Sequence, residues 1–350
     1  MFYEIIIPML VLGIETTCDE TACSIVKDGK QILSNVIASQ HDIHSKYGGV
    51  FPELACRRHV DVILPVITQA LEEANVVQDQ VDLISVAKGP GLIGALVIGM
   101  NAAKGLSLAW NKPFIGVNHV EAHLYAAMMN APLEFPAIGV VISGGHTFLV
   151  EIIDVGSYRL IGTTVDDAIG EAFDKVACML GFPYPGGPII EKIAETVNSS
   201  NYSFKAGQVK ERPWDFSFSG LKTNVLYTIR GQDAESRETL SLSEQQKAEI
   251  AYAFQETALS DIVKKTALAC KHFRAKAVYV GGGVSSNQTL RKLFQRELRD
   301  IPVYWPGKGL SLDNGAMIAG LGYQLYLKQG KGDALDLMPA ARLPLLQASL

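Results

Sequence analysis

The sequence predicts an α/β protein built as two lobes, each a sheet flanked by helices in three layers. Three observations carry this. The chain has 350 residues and 48% apolar content, too much for one ordinary hydrophobic core and ample for two in series. An opening of three consecutive strands occurs twice, first in "LVLGIETTCDETACSIVKDGKQILSNVIAS" and again in "PAIGVVISGGHTFLVEIIDVGSYRLIGTT". After each opening, strand and helix patterns follow one another in the α/β manner.

In the first opening, runs of Ile and Val are broken by polar turn residues and by "KDGK", whose Asp-Gly pair is a hairpin signal. "HVDVILPVITQALEEANV" is an amphipathic helix and "VDLISVAKGPG" a strand ending in a Gly-Pro-Gly loop. "LIGALVIGMNAAKGLSLAW" is a small-residue helix, and "PFIGV" a strand feeding the helix "HVEAHLYAAMMN". The second opening places its strands around Ser143-Gly144-Gly145-His146 and a further turn near Gly156. Residues 165–230 match nothing in the first half and read as a helical insertion with "YPGGP" and "DFSFSG" as its loops. Then come the long helix "SEQQKAEIAYAFQETALSDIVKKTALACKHF", a strand, Gly-rich turn and helix in "AKAVYVGGGVSSNQTLRKLFQREL", and a last helix in "NGAMIAGLGYQLYLKQG". The recurrence implies an internal duplication, with lobes at 9–134 and 135–345. Ligands are expected in the cleft between the lobes.

Charge and cysteine usage narrow the function classes. With 31 Lys+Arg against 36 Asp+Glu and a net charge of −5, a nucleic-acid partner must meet a local basic patch; Arg57 and Arg58 are candidates. Five widely spaced cysteines without a C-x-x-C pair argue against a disulfide framework and a zinc ribbon, and fit a reducing cytoplasm. "IIIPMLVLGI" lacks a basic flank and a cleavage site, and Pro8 interrupts it. It reads as a first strand behind a short extension, with Met9 an alternative start. No apolar run reaches the roughly 20 residues that cross a bilayer, so no membrane association is expected.

Three Gly-rich turns, "ISGGHT", "YPGGP" and "VGGGVSSN", let backbone approach a ligand closely, and the last opens a helix whose free N–H groups favour an anion. None is a Walker or Rossmann fingerprint, and glycine is commonest simply as turn chemistry. Carboxylates flank these turns: Asp19 and Glu20 in the first hairpin, and Asp166, Asp167, Glu171 and Asp174 in "DDAIGEAFDK". Asp167, Glu171 and Asp174 share one face at helical spacing, fit either for ligand binding or for a solvated helix start.

His119 and His123 in "GVNHVEAHLY" stand four apart on a helix, with both rings within reach of one ion. The spacing alone leaves a metal site and two satisfied histidines equally open. Asp313 in "SLDNGAM" offers a third ligand, or a cap for the last helix. A zinc peptidase of the H-E-x-x-H kind carries its base directly after the first histidine. Val120 holds that position here, and Glu121 lies about 200° around the helix from His119. A peptidase is disfavoured.

From about Met9 to Pro344 the chain resembles one family, the tRNA threonylcarbamoyladenosine transferases of bacterial TsaD type, formerly called glycoproteases. The matching blocks are "GIETTCDET", "YGGVFPELACRRHV", "KGPGLIGAL", "GVNHVEAHL", "ISGGHT", "DDAIGEAFDKVA", "YPGGP", "DFSFSGLKT", "GGGVSSNQTLR" and "DNGAMIA". The resemblance implies the actin, hexokinase and Hsp70-like (ASKHA) fold: two duplicated ribonuclease-H-like lobes with a nucleotide and a metal in the cleft. It implies that His119, His123 and Asp313 bind one divalent metal, iron by resemblance, with zinc or another ion compatible with N/O ligation. The family's substrate and nucleotide contacts fall on Val141, Ile142, Ser143, Gly144, Gly145, Asp174, Gly187, Glu191 and Asn287.

The reaction implied is attack by N6 of the adenosine 3′ of the anticodon on the carbamoyl carbon of L-threonylcarbamoyl-adenylate, releasing AMP. It applies to tRNAs that read A-starting codons, and Asp19 is the candidate for assisting proton removal. Family resemblance also implies a paralogous inactive partner, TsaB, and a small ATPase, TsaE. The apolar helices "VILPVITQALEEA" and "LVIGMNAAKGLSLAW" are candidates for the partner interface, although core packing accounts for most of their residues. Two readings from other classes are a small-molecule kinase or ATPase of the same fold, and an actin-like scaffold. Neither needs the histidine pair.

Overall fold

The computed structural model describes residues 8–44, 49–230 and 242–345. Residues 5–7 of the opening apolar stretch and Tyr47-Gly48 of the "YGGVFPELACRRHV" block lie outside the described residues. The chain divides into two compact units. One holds the described residues through Ala131 together with those from Pro306 onward, and the other spans Pro132–Trp305.

The first unit carries strands β1 (Leu10–Glu15), β2 (Glu20–Lys27), β3 (Gln31–Ser39), β4 (Leu83–Gly89) and β5 (Phe114–Asn118) in the order β3-β2-β1-β4-β5. The first three are antiparallel, and β4 and β5 run parallel to β1. At the β2–β3 turn, Asp28 and Gly29 have φ of 55° and 68°, the left-handed pair that a tight hairpin of this hand needs. Its helices are α1 (His41–His44), α2 (Pro52–Ala74), α3 (Ile93–Trp110) and α4 (His119–Met128).

The second unit repeats that strand order. β6 (Ala137–Ile142), β7 (Thr147–Asp154) and β8 (Ser157–Thr163) are antiparallel, and β9 (Ala277–Gly281) and β10 (Val303–Tyr304) continue parallel to β6, giving β10-β9-β6-β7-β8. Its helices are α5 (Ile169–Met179), α6 (Gly186–Ala194), α7 (Ser219–Arg230), α8 (Glu244–Phe273) and α9 (Gln288–Glu297). The duplication read from the strand pattern is thus present as topology.

Each sheet has its own core. In the first, Leu12, Ile14, Ile25 and Ile84 pack on Val62, Ile63, Val66 and Ile67 of α2 and on Met100 and Ala103 of α3. In the second, Ile138, Val140 and Val278 pack with Phe173, Phe254 and Phe294. Each such Leu, Ile, Val, Met or Phe side chain removed from water contributes about 1.5–3 kcal/mol. Pro65 sits inside α2 on its exposed face, where the carbonyl that loses its partner is open to solvent. Among the described residues α3 is long and apolar enough to cross a bilayer, a length the sequence reading did not credit. Its Ala95, Leu96, Gly99, Met100 and Ala103 are buried.

The last helix, α10 (Gly315–Gln329), falls outside the second unit, although a lobe at 135–345 would include it. Residues 306–345 belong with the first unit. The cause is a face of small residues. A Cβ on Gly13 of β1 would run into Gly315 and Ala319, one on Gly315 into Cys23 and Ser24 of β2, and one on Gly322 into Ser85 of β4. Helix and sheet therefore meet backbone to backbone. The chain beyond α10 stays on the same unit: Asp333 Oδ2 accepts from Gly116 N at 2.8 Å, Lys88 O accepts from Ala340 N at 2.8 Å, and Pro344 O accepts from Asn118 Nδ2 at 3.2 Å.

Two smaller corrections concern residues 165–230. Helix α5 begins at Ile169, so Asp167 precedes it and does not share its face. "YPGGP" is only partly a loop, because Gly186, Gly187 and Pro188 form the first turn of α6.

Candidate functional site

Helix α4 presents the histidine pair because Asn118, the last residue of β5, caps it. Asn118 Oδ1 accepts from Val120 N at 2.9 Å and Glu121 N at 3.2 Å, which starts the helix at His119 and sets both rings on one face. The ring centroids are 4.6 Å apart at 76°. The cap of α10 falls on Asn314, whose Oδ1 accepts from Met317 N at 2.9 Å. Asp313 is thereby released from the capping role the sequence offered it. Its Oδ1 lies 3.1 Å from His123 Nε2 and 3.6 Å from His119 Nε2. One ligand atom from each of the three residues falls within 4.8 Å of the others.

The residues fit a divalent ion. His123 is 1% exposed, its Nδ1 has no hydrogen-bond partner among the described residues, and its Nε2 faces only the Asp313 carboxylate, an expensive state for a buried polar group. Two imidazole nitrogens and a carboxylate oxygen converging in a buried place are the N/O donor set of zinc, iron and similar ions. Val120 and Glu121 are buried too, and neither belongs to the converging three.

Acidic groups surround the pair. Glu15, at the end of β1 and 0% exposed, puts Oε2 at 3.0 Å from His119 Nδ1 and accepts Thr17 N at 2.5 Å through Oε1. Thr17 Oγ1 lies 3.3 Å from the same Nδ1. Burial pushes the His119 imidazole down, but the Glu15 and Asp313 carboxylates and the Glu15 hydrogen bond outweigh it and lift the pKa to about 9. A proton there supplies the positive charge that the two carboxylates favour. Burial, with Asp313 and Asp19 beside it, lifts Glu20 to about 9, and burial followed by Asp19 pushes the Cys18 thiol far up. His59 pins this loop, meeting Thr21 Oγ1 at 2.7 Å and Cys18 O at 3.0 Å. Asp19 sits in the loop, hydrogen-bonded to Glu20 and Cys18, outside the converging three. Sequence reading missed Glu15 and Thr17; the available signal was an acid closing the first strand in "GIETT".

The other candidates gather in the second unit, at the C-terminal ends of β6 and β9, where Val141 pairs with Gly281. Val141 and Ile142 end β6 buried, and the Ser143–His146 turn closes with Ser143 N donating to His146 O at 2.8 Å. Gly144 and Gly145 are exposed, and a Cβ on either, or on Gly187, would meet open space. Their backbone is therefore accessible to a ligand. Gly282, at φ +91°, abuts the Ile142 carbonyl and holds the two strand ends together.

The remaining polar candidates are tied to helix starts. Asp174 Oδ1 accepts from Gly186 N at 2.7 Å and the carboxyl is also bonded by Gly187, though burial still lifts its pKa. Glu191 Oε1 accepts from Gln288 N at 2.6 Å. Asn287 caps α9 through Leu290 N at 2.9 Å and donates to Gln255 Oε1 at 2.9 Å. The "DDAIGEAFDK" carboxylates are likewise engaged: Asp166 accepts from Phe218 N at 2.8 Å, and Asp167 pairs with Lys175 at 2.7 Å and Lys222 at 2.5 Å. Arg57 and Arg58 are exposed on α2, and Arg57 pairs with Glu53 at 2.7 Å.

Two units that repeat this strand order define a protein of the actin, hexokinase and Hsp70-like class. Solved structures agree on the fold: T. kodakarensis HypF superposes with a TM-score of 0.60 at 15% identity over 93% of this chain and 50% of that one. The Acidaminococcus fermentans (R)-2-hydroxyglutaryl-CoA dehydratase component A does so with 0.53 at 14% identity, covering 92% and 100%. The family model for TsaD, tRNA N6-adenosine threonylcarbamoyltransferase, matches residues 31–320. A protein of that name from Protochlamydia amoebophila (strain UWE25) is 61% identical over 96% of this chain and 98% of its own length, and one from Chlamydia felis (strain Fe/C-56) is 50% identical over 92% and 93%. The chain belongs to the TsaD family of tRNA N6-adenosine threonylcarbamoyltransferases. The family activity is acyl transfer to N6 of a tRNA adenosine, forming threonylcarbamoyladenosine (t6A).

Proposed function

We propose that this chain transfers the threonylcarbamoyl group from L-threonylcarbamoyl-adenylate to N6 of the adenosine 3′ of the anticodon, in tRNAs reading A-starting codons, and releases AMP. The convergence of His119, His123 and Asp313 carries the reading. These three residues would hold one divalent metal, Fe(II) in preference to Zn(II). Bound there, the ion supplies a Lewis acid for a carbonyl oxygen.

The chain's own residues supply orientation. Val141, Ile142 and Ser143 seat the adenylate, the N–H groups of Gly144 and Gly145 serve its oxygens, and Gly187, whose own N–H is held by Asp174, leaves open space beside them for the ligand. Asp174 binds through the carboxylate capacity left after Gly186 and Gly187. Glu191 and Asn287 act by fixing the first turn of α9, since their side chains are engaged at Gln288 and Leu290. Attack forms the N6–C bond, breaks the bond from carbon to the phosphate oxygen, and leaves a proton that Asp19 takes up.

The partners of this reading are tRNA, a paralogous inactive TsaB and the small ATPase TsaE, in the cytoplasm. The TsaB surface is the outer face of α2 and α3, where Val60 (62%), Leu64 (61%), Ile93 (51%) and Leu108 (67%) are exposed. The test is a His119→Ala/His123→Ala double variant in a reconstituted reaction. It should fold and form no t6A; a folded double variant with normal t6A would remove the metal from the reaction.

A further inference from the structure

We infer that Glu15 is the positioning residue of the metal centre, an inference that rests on the metal reading above. It works by fixing which nitrogen His119 turns toward Asp313.

Glu15 is anchored from both sides. In β1 it pairs with Ala22 of β2, while the preceding Ile14 pairs with Val86 of β4, so its backbone is held within the sheet. Its carboxylate is divided between two partners: Oε1 takes Thr17 N–H at 2.5 Å, and Oε2 takes His119 Nδ1 at 3.0 Å. A neutral imidazole bonded through Nδ1–H to a carboxylate, the form that binds a cation, keeps Nε2 free of hydrogen and aimed the opposite way. In this site the opposite way is Asp313 Oδ1, at 3.6 Å from Nε2. Without Glu15 the ring can turn about its Cβ–Cγ bond or carry its proton on Nε2, and either change withdraws the lone pair from the ion.

Burial points to the same role. Glu15 is 0% exposed, a costly place for a carboxylate without a cationic partner. Among the described residues the ion pair that includes it is the one with His119. A carboxylate kept this deep and paired with a metal-facing imidazole is explained by that imidazole's orientation.

Glu15→Gln tests this with little change of shape. Thr17 N–H must still meet an acceptor, so the amide oxygen takes that side and the NH₂ group faces His119 Nδ1. The amide then donates where the carboxylate accepted, and favours the tautomer with hydrogen on Nε2. Apo protein is titrated with Co(II), following the ligand-field absorption of histidine-bound cobalt, and the metal-free chain is melted in parallel. Wild type should bind one equivalent, and Asp313→Ala should lose it. Glu15→Gln should weaken Co(II) binding about 10–100-fold with the metal-free melt kept cooperative. Glu15→Asp, whose carboxylate stops short of the ring, should weaken it in the same direction. Co(II) affinity within twofold of wild type in a folded Glu15 variant overturns the inference and leaves the metal site standing. Loss of cooperative folding in both variants overturns it as well, because Glu15 then serves the fold. Failure of wild type to bind cobalt removes the metal reading itself.

Discussion

His119 sets the pH behaviour of the site. In the metal-free chain it holds its proton up to about pH 9, against about 6.5 in an unfolded chain. A folded value raised in this way stabilises fully below about pH 6.5, and that stabilisation is lost as pH climbs through 9. Glu20, also lifted to about 9, works in the same direction, since ionising it in the folded chain costs more than ionising it unfolded. The metal-free chain should therefore lose about 3 kcal/mol from the His119 linkage between pH 6.5 and 9. Saturating metal should remove most of that loss, and metal affinity should rise with pH up to about 9. Calorimetric melts across this range, with and without metal, check the sign; metal-free stability that rises with pH would contradict it. At this scale the sequence showed the three converging residues and missed what holds them. The His119/His123 spacing is local and readable, but the Glu15 contact spans 104 positions and exists only because β1 and β5 lie in one sheet.

Elements place the residues, and single atoms place the elements. Asn118 both starts α4 and ties it to Pro344 O. Asn118→Ala should cost about 1 kcal/mol in urea unfolding from the cap, with weaker metal binding alongside; unchanged stability and affinity would remove it as an anchor. Gly13→Ala pushes a methyl into Gly315 and Ala319 and should cost about 1–3 kcal/mol by overpacking, read as a lower urea midpoint. A neutral Gly13→Ala would mean that α10 packs less closely than described. Hairpins were legible because "KDGK" and the turn at Gly156 carry left-handed residues, and strands because apolar runs alternate with turn signals. The start of α5 was not, since Asp166 and Asp167 suit a helix N-terminus in sequence while Phe218, Lys175 and Lys222 claim them in space.

Across the whole molecule, sequence reading recovered the duplication and missed the return of the chain after α9 to the first unit. Small residues in α10 look like any amphipathic helix until the glycine of β1 that receives them is known. The metal ligands all belong to one unit and the adenylate candidates to the other, so losses in the two sets should be separable. Asp313→Ala should abolish metal binding and leave AMP affinity intact, and binding of both lost together would contradict the assignment. For tRNA, reversing Arg57 and Arg58 to Glu should weaken binding and lower the salt slope by about 2, because both are exposed and the Arg57–Glu53 pair adds little. An unchanged slope would place the basic patch elsewhere.

The central claim is acyl transfer to tRNA, and nucleoside mass spectrometry measures its product. Unmodified tRNA is incubated with L-threonylcarbamoyl-adenylate, TsaB and TsaE, with and without this chain, and then digested. The account predicts threonylcarbamoyladenosine only when the chain is present, and none with His119→Ala/His123→Ala. Unmodified adenosine in every sample, with the helpers shown to be active, would contradict it.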